Sequence, residues 1–195
     1  VAMLYDNNDN PASTYLAEIQ DGVLEACDAH RYSMMVRPLR MRSDDFIRRL
    51  DALISDHHPD GVVLTPPITD CAPLLKRMRE SGVPYASVSP QSGSGIGVSM
   101  DEQAAARAIV EHLLALGHRR IAHVIGIADH GASRWRLAGY REAMAAAGLP
   151  EDPALVVQGA FTFGSGVAAA RELFALKSRP TAVFAANDDM ATGVM

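Results

Sequence analysis

Short, nearly continuous apolar runs alternate along this chain with longer segments whose apolar residues recur every three or four positions. Residues 1–5, 32–36, 61–65 and 84–88 are runs of strand length. Between them, Leu16, Ile19, Val23 and Cys27 share one helical stripe, Phe46, Ile47, Leu50 and Ile54 a second, and Leu74, Leu75 and Met78 a third. A strand that is apolar on both faces needs cover on both faces. The alternation therefore predicts an α/β fold with doubly wound parallel sheets.

The rhythm breaks at the polar, glycine-rich stretch 89–97 and restarts after the short run 96–100. This predicts two lobes, 1–100 and 101–195. In the second, Asp101 is placed to cap a helix that turns Ala105, Ile109, Leu113 and Leu116 inward and ends at Gly117. A strand is expected at 121–125, a helix at 133–147, a strand at 155–158, a helix at 166–177, a strand at 181–184, and a last helix from about Asp188. An open α/β lobe seldom stops a turn or two into a helix, so the chain reads as a piece of a longer protein with its second lobe incomplete.

Composition narrows the classes. With 48% hydrophobic residues, 195 residues suffice for a sizeable core. Lys plus Arg number 18 against 23 Asp plus Glu, a net charge of −5, which argues against this segment gripping nucleic acid itself. Cys27 and Cys71 are too few for a disulfide framework and fit a reducing, cytoplasmic compartment. No apolar stretch approaches bilayer-spanning length, so no membrane partner is expected.

Three segments of the second half carry the candidate chemistry. They are Gly117-His118-Arg119-Arg120-Ile121-Ala122-His123-Val124, Arg134-Trp135-Arg136-Leu137-Ala138-Gly139-Tyr140, and Pro180-Thr181-Ala182-Val183-Phe184-Ala185-Ala186-Asn187-Asp188-Asp189-Met190-Ala191. They set polar residues just past apolar strands, where open α/β sheets collect small ligands. Their order and wording resemble the effector-binding core of the lactose-repressor/galactose-repressor family of bacterial transcription regulators. The resemblance implies two lobes of the periplasmic-binding-protein type that close on a small molecule, usually a sugar or nucleobase. It also implies a homodimer, no cofactor, and operator DNA bound through a helix-turn-helix domain absent from this chain.

Residue by residue, Arg136 falls where the family's ligand-gripping arginine stands. Its planar fork of donors suits vicinal hydroxyls or a carboxylate; a helix-surface arginine paired with Glu142 is the alternative. Asn187 matches the asparagine of the family's Ala-Asn-Asp motif and offers a donor and an acceptor to a sugar hydroxyl. Helix capping is the alternative there, with Asn187 turned to ligand and Asp188 or Asp189 to the helix. Phe161 aligns with an aromatic that stacks on ligand, or is simply core. In the first lobe the resemblance points to the loop after the first strand, with Asp6 and Asn10 and with Tyr15 behind it. Ser89 stands where the family often has an aspartate.

Other chemistries lack their residues. Gly93-Ser94-Gly95-Ile96-Gly97 precedes a strand-like run, without the order or the lysine of a phosphate loop. The seven histidines include no zinc spacing, and neither a G-x-S-x-G elbow nor a Cys–His pair is present. No metal site and no enzyme are expected. The expected function is effector binding in a transcription regulator; the alternative is a periplasmic sugar-binding protein of a transporter.

Overall fold

The computed structural model describes residues 1–7, 14–91, 95–128 and 130–195. Asn10 lies outside them. The chain divides into two compact units, Val1–Met100 and Asp101–Met195.

In the first unit β1 (Ala2–Asp6), β2 (Met35–Leu39), β3 (Val62–Leu64), β4 (Tyr85–Val88) and β5 (Ile96–Val98) form one sheet. Its order is β2-β1-β3-β4-β5, and every pairing is parallel. Helices α1 (Thr14–Ala29), α2 (Phe46–His57) and α3 (Ala72–Ser81) connect the first four strands. Leu4, Leu64, Leu50, Leu74 and Met78 are fully buried together in the core that α2 and α3 share with the sheet. Each such side chain contributes roughly 1.5–3 kcal/mol of transfer free energy. The α1 stripe is less covered: Cys27 is its buried residue, and Leu24 is exposed.

The second strand begins three residues later than the sequence suggests. Arg31 takes a left-handed φ of 60°, and the Tyr32 amide donates to the Cys27 carbonyl at 2.8 Å, so residues 30–32 finish the helix rather than start the strand. The strand then runs through Pro38, which an edge position tolerates because one side of β2 needs no donors.

In the second unit β6 (Ile121–Ile125), β7 (Val156–Gln158) and β8 (Ala182–Ala185) form a parallel sheet of order β7-β6-β8. Helices α4 (Glu102–Ala115), α5 (Gly131–Ala146), α6 (Phe163–Ala175) and α7 (Asp188–Val194) complete it. Strand alternation sorts β6 between two cores. Ile121 joins Val110, Tyr140, Ala143 and Met144 on the α4–α5 face, while Ala122 and Val124 join Ala169, Leu173 and Met190 on the α6–α7 face. Residue 155, expected in a strand, belongs instead to a 3-10 turn, Pro153–Leu155, held by the Asp152 side chain on the Ala154 amide.

The α4 phase also differs from expectation. Asp101 caps the helix through the Ala104 amide at 2.9 Å, and Gly117, at φ 94°, follows its C-terminus, as the sequence suggests. Leu113 packs against the core as expected, but the buried stripe is Glu102, Ala106 and Val110, and Ala105, Ile109 and Leu116 are exposed. An apolar period does not register a buried glutamate. Here Glu102 faces inward, and the helix turns with it. Gly139 lets α5 approach closely, since a Cβ there would collide with the Gln103 carbonyl and crowd the Arg107 amide.

Both sheets share one consequence. The first strand of each unit, β1 or β6, has the next two strands laid on opposite sides of it, so connections diverge at its carboxyl end and leave a crevice there.

Candidate functional site

In the second unit the carboxyl ends of β6, β7 and β8 are stitched together by side chains. Gln158, the last residue of β7, donates from Nε2 to the carbonyls of Gly126 and Gly159, each at 2.6 Å. Beyond it Phe161 holds a left-handed φ of 58°, unusual for a bulky residue and costing on the order of 1–3 kcal/mol. Neighbours enforce it. The Ser165 hydroxyl accepts the Ala160 and Thr162 amides at 3.0 and 3.3 Å, and the Asn187 Nδ2 donates to the Phe161 carbonyl at 3.2 Å. The Phe161 ring covers Gly126, where a Cβ would collide with it, packs against the α6–α7 core, and meets the tilted ring of His130 at 5.3 Å.

Asn187 does two jobs at once. Its Oδ1 accepts the Met190 amide at 3.1 Å, which makes it the N-cap of α7, while its Nδ2 ties the helix start to Phe161. The cap of α7 is thus Asn187 itself rather than Asp188 or Asp189. An extended φ of −152° at Asn187 sets its own side chain over the helix amides. One amide hydrogen and one oxygen lone pair remain for other partners.

Arg136 reaches the same place from the second turn of α5. Its Nε donates to the Glu102 Oε2 at 2.7 Å, and its Nη1 donates to the Ala186 carbonyl, one residue before Asn187. Glu102 is only 4% exposed and Arg136 20%. Glu142, the alternative partner weighed from sequence, instead accepts from Gln103. One turn earlier on α5, buried Ser133 carries a hydroxyl with no partner among the described residues.

Behind the arginine, His123 is wholly buried between the rings of Phe184 and Tyr140, with centroids at 4.5 and 5.3 Å. Its Nδ1 lies 2.8 Å from the Phe184 carbonyl and must donate to it, which leaves Nε2 as an acceptor without a described partner. Burial pushes its pKa down to about 4, against the pull of the Phe184 carbonyl.

The structure therefore gathers Arg136, Phe161 and Asn187 into one hydrogen-bonded cluster. In the first unit, Asp6 closes β1 with its Oδ1 accepting the Met41 amide at 3.1 Å. Ser89 follows β4, buried, at φ 47°, its amide donating to Val98 at 2.7 Å. Asp6 and Ser89 edge the same sheet end two strands apart, about 10 Å. Tyr15 stands 47% exposed on the first turn of α1. Glu102, Gln158 and Ser133 were not singled out from sequence. An acid after Asp101 looks like one more capping residue, and only the arginine beside it reveals its role.

Among the described residues no group of three His, Cys, Asp or Glu could hold a metal ion, and no helix is long and apolar enough to cross a membrane.

Comparison with known proteins adds to this geometry. A family model described as periplasmic binding proteins and sugar binding domain of the LacI family matches residues 1–195. The HTH-type transcriptional regulator CelR of Thermobifida fusca is 39% identical over 155 residues, covering 75% of this chain and 44% of the relative. The ribose operon repressor of Escherichia coli is 30% identical, with 100% of this chain and 58% of the relative covered. The chain thus spans about half the length of the curated relatives it matches. Among solved structures, a transcriptional regulator CelR–cellobiose complex superposes with a TM-score of 0.88 at 35% identity, covering 99% of this chain and 60% of that one. A LacI family transcriptional regulator from Mycobacterium smegmatis gives 0.82 at 29%, covering 100% and 70%.

Proposed function

This chain belongs to the LacI family of periplasmic-binding and sugar-binding domains, and from that premise we propose that it is the effector-binding part of a bacterial transcription regulator that senses a carbohydrate. The observation that carries the reading is the cluster of Arg136, Asn187 and Phe161 at the carboxyl end of a doubly wound sheet. It offers charged donors, an amide and an aromatic face, the three contacts a sugar ring needs for its hydroxyls and its C–H side. Asp6, Asn10, Tyr15 and Ser89 are the contacts we assign to the first unit. DNA is contacted through a helix-turn-helix domain of the whole protein, a cytoplasmic homodimer in this reading, and ligand favours one arrangement of the two units over another. A coupling of roughly 1–3 kcal/mol changes DNA affinity by about 5–150-fold.

The transporter alternative shares the architecture, but the relatives matched along most of this chain are regulators. A structural relative carries cellobiose, so β-linked disaccharides head the panel. Calorimetric titration of the full-length protein with mono- and disaccharides and nucleobases should give one saturable ligand. Charge-assisted bonds worth roughly 1.5–3 kcal/mol put the loss in Arg136→Ala at about 10- to 150-fold. A panel without a saturable carbohydrate removes the sugar sensor, and an unchanged affinity in the variant removes Arg136 from the site.

A further inference from the structure

We propose that Glu102 sets the charge class of the ligand: by neutralising Arg136 from inside the fold, it tunes the site for an uncharged polyhydroxylated molecule and against sugar phosphates and sugar acids. This rests on the reading of Arg136 as a ligand residue.

A guanidinium has five N–H groups. One goes to the Glu102 carboxylate at 2.7 Å and one to the Ala186 carbonyl. Three remain with no partner among the described residues, enough to grip two neighbouring hydroxyl oxygens. The donors are therefore available while the charge is already matched. Glu102 is 4% exposed and lies on the first turn of a helix capped by Asp101, so it is held in place rather than free to swing away from an incoming anion. Buried this deeply, its carboxylate is poorly screened by salt or water.

A ligand phosphate laid on Arg136 would meet this carboxylate at close range. Attraction to the cation would be offset by repulsion from the carboxylate already paired with it, and the phosphate would still lose its hydration. A neutral hydroxyl incurs neither penalty. An arginine without an internal carboxylate partner would prefer the anion instead, so Glu102 is a specificity-determining positioning residue.

The test is isothermal titration of the full-length protein, wild type and Glu102→Gln, with cellobiose, maltose and glucose, each against its 6-phosphate. Glutamine keeps an acceptor for Arg136 but removes the charge, and circular dichroism with thermal unfolding verifies the fold of each variant. We expect the wild type to bind a neutral sugar at least about tenfold more tightly than its phosphate. Glu102→Gln should shift that ratio by about tenfold or more toward the phosphate while changing neutral-sugar affinity by less. A merely structural glutamate would weaken both ligands together and leave the ratio in place, which overturns the proposal. So does a wild type that prefers the phosphate, and that result leaves the carbohydrate-sensor reading standing. Failure of every sugar and every phosphate to bind removes that reading and this proposal with it.

Discussion

The two units repeat one strand order around their first strand, yet they finish its carboxyl end by different means. In the second unit side chains do it: Arg136 on Glu102 and Ala186, Asn187 on Phe161 and Met190, Gln158 across two strand ends. Among the described residues of the first unit, the strand ends are held by backbone ties such as Ser89 in a left-handed turn on Val98 and by single side-chain bonds, Asp6 accepting the Met41 amide, Asp70 the Gln91 amide and Thr65 donating to the Leu4 carbonyl. The second unit's end is thus a preorganised polar cluster around a buried ion pair, while no buried ion pair stands among the described residues at the first. Side-chain clusters concentrate energy in few residues, while turns spread it. That difference can be broken by mutation.

The largest effect belongs to Glu102→Ala, which strands the Arg136 guanidinium at 20% exposure without its carboxylate. Removing one partner of a buried pair costs about 3–5 kcal/mol, and the low end applies because Arg136 retains the Ala186 carbonyl. Asp6→Ala, its counterpart in the first unit, loses no buried ion pair like that of Glu102 and should cost less, about 1–2 kcal/mol, the Met41 amide losing its carboxylate acceptor. Urea denaturation of the full-length protein followed by hydrogen exchange in each unit measures both. Equal losses would mean that the two strand ends are built alike after all.

His123 gives the second contrast. Its folded pKa of about 4 lies below the ordinary 6.5 because burial disfavours the charged form, and the nearby Arg136 and Arg141 add to the effect. The unfolded chain therefore binds the proton first. Stability is fully present above about pH 6.5 and declines as the pH falls toward 4, by about 3 kcal/mol in total for this group. Other carboxylates contribute to acid unfolding, Asp152 beside Arg120 among them, so the diagnostic is a difference. Plotted against pH, the stability of His123→Phe should lack this portion of the slope between 6.5 and 4. Parallel curves for the two proteins would show that His123 is not the group that titrates.

How far the sequence disclosed this arrangement follows from the same physics. Apolar runs and helical stripes mark elements whose burial involves only carbon, so the parallel strands and most helices were legible. Arg136 and Asn187 were legible as ligand candidates only through family wording, since an arginine on a helix and an asparagine before one are each ordinary. The failures share a cause. The α4 stripe was misphased because Glu102 is buried by a partner 34 positions away, which no local period records. The second strand was misplaced because Tyr32, an apolar residue, is spent on a helix exit. At Asn187 ligand contact and helix capping stand as alternatives in the sequence, and only the fold shows Oδ1 taking the cap while Nδ2 reaches the Phe161 carbonyl. Long-range pairing of polar groups is the information that periodicity discards.

The smallest effect separates the two units by sign. Ser89 and Phe161 both occupy the left-handed region, at φ 47° and 58°, where glycine is free of the Cβ clash of roughly 1–2 kcal/mol. At Ser89 the side chain is small, so Ser89→Gly should gain more from relief than it loses to chain entropy, a net stabilisation of about 0.5 kcal/mol. At Phe161 the same substitution gives the same relief but removes a ring that covers Gly126 and touches His130. Losing that half-buried aromatic costs about 2–3 kcal/mol. With the same cost in chain entropy, Phe161→Gly should therefore destabilise by about 2 kcal/mol despite the better backbone. Paired thermal melts of the two variants decide it: stabilisation in both would mean that the Phe161 ring adds little to the fold, and that its strained backbone is held by Asn187 and Ser165 for the sake of what the ring meets from outside.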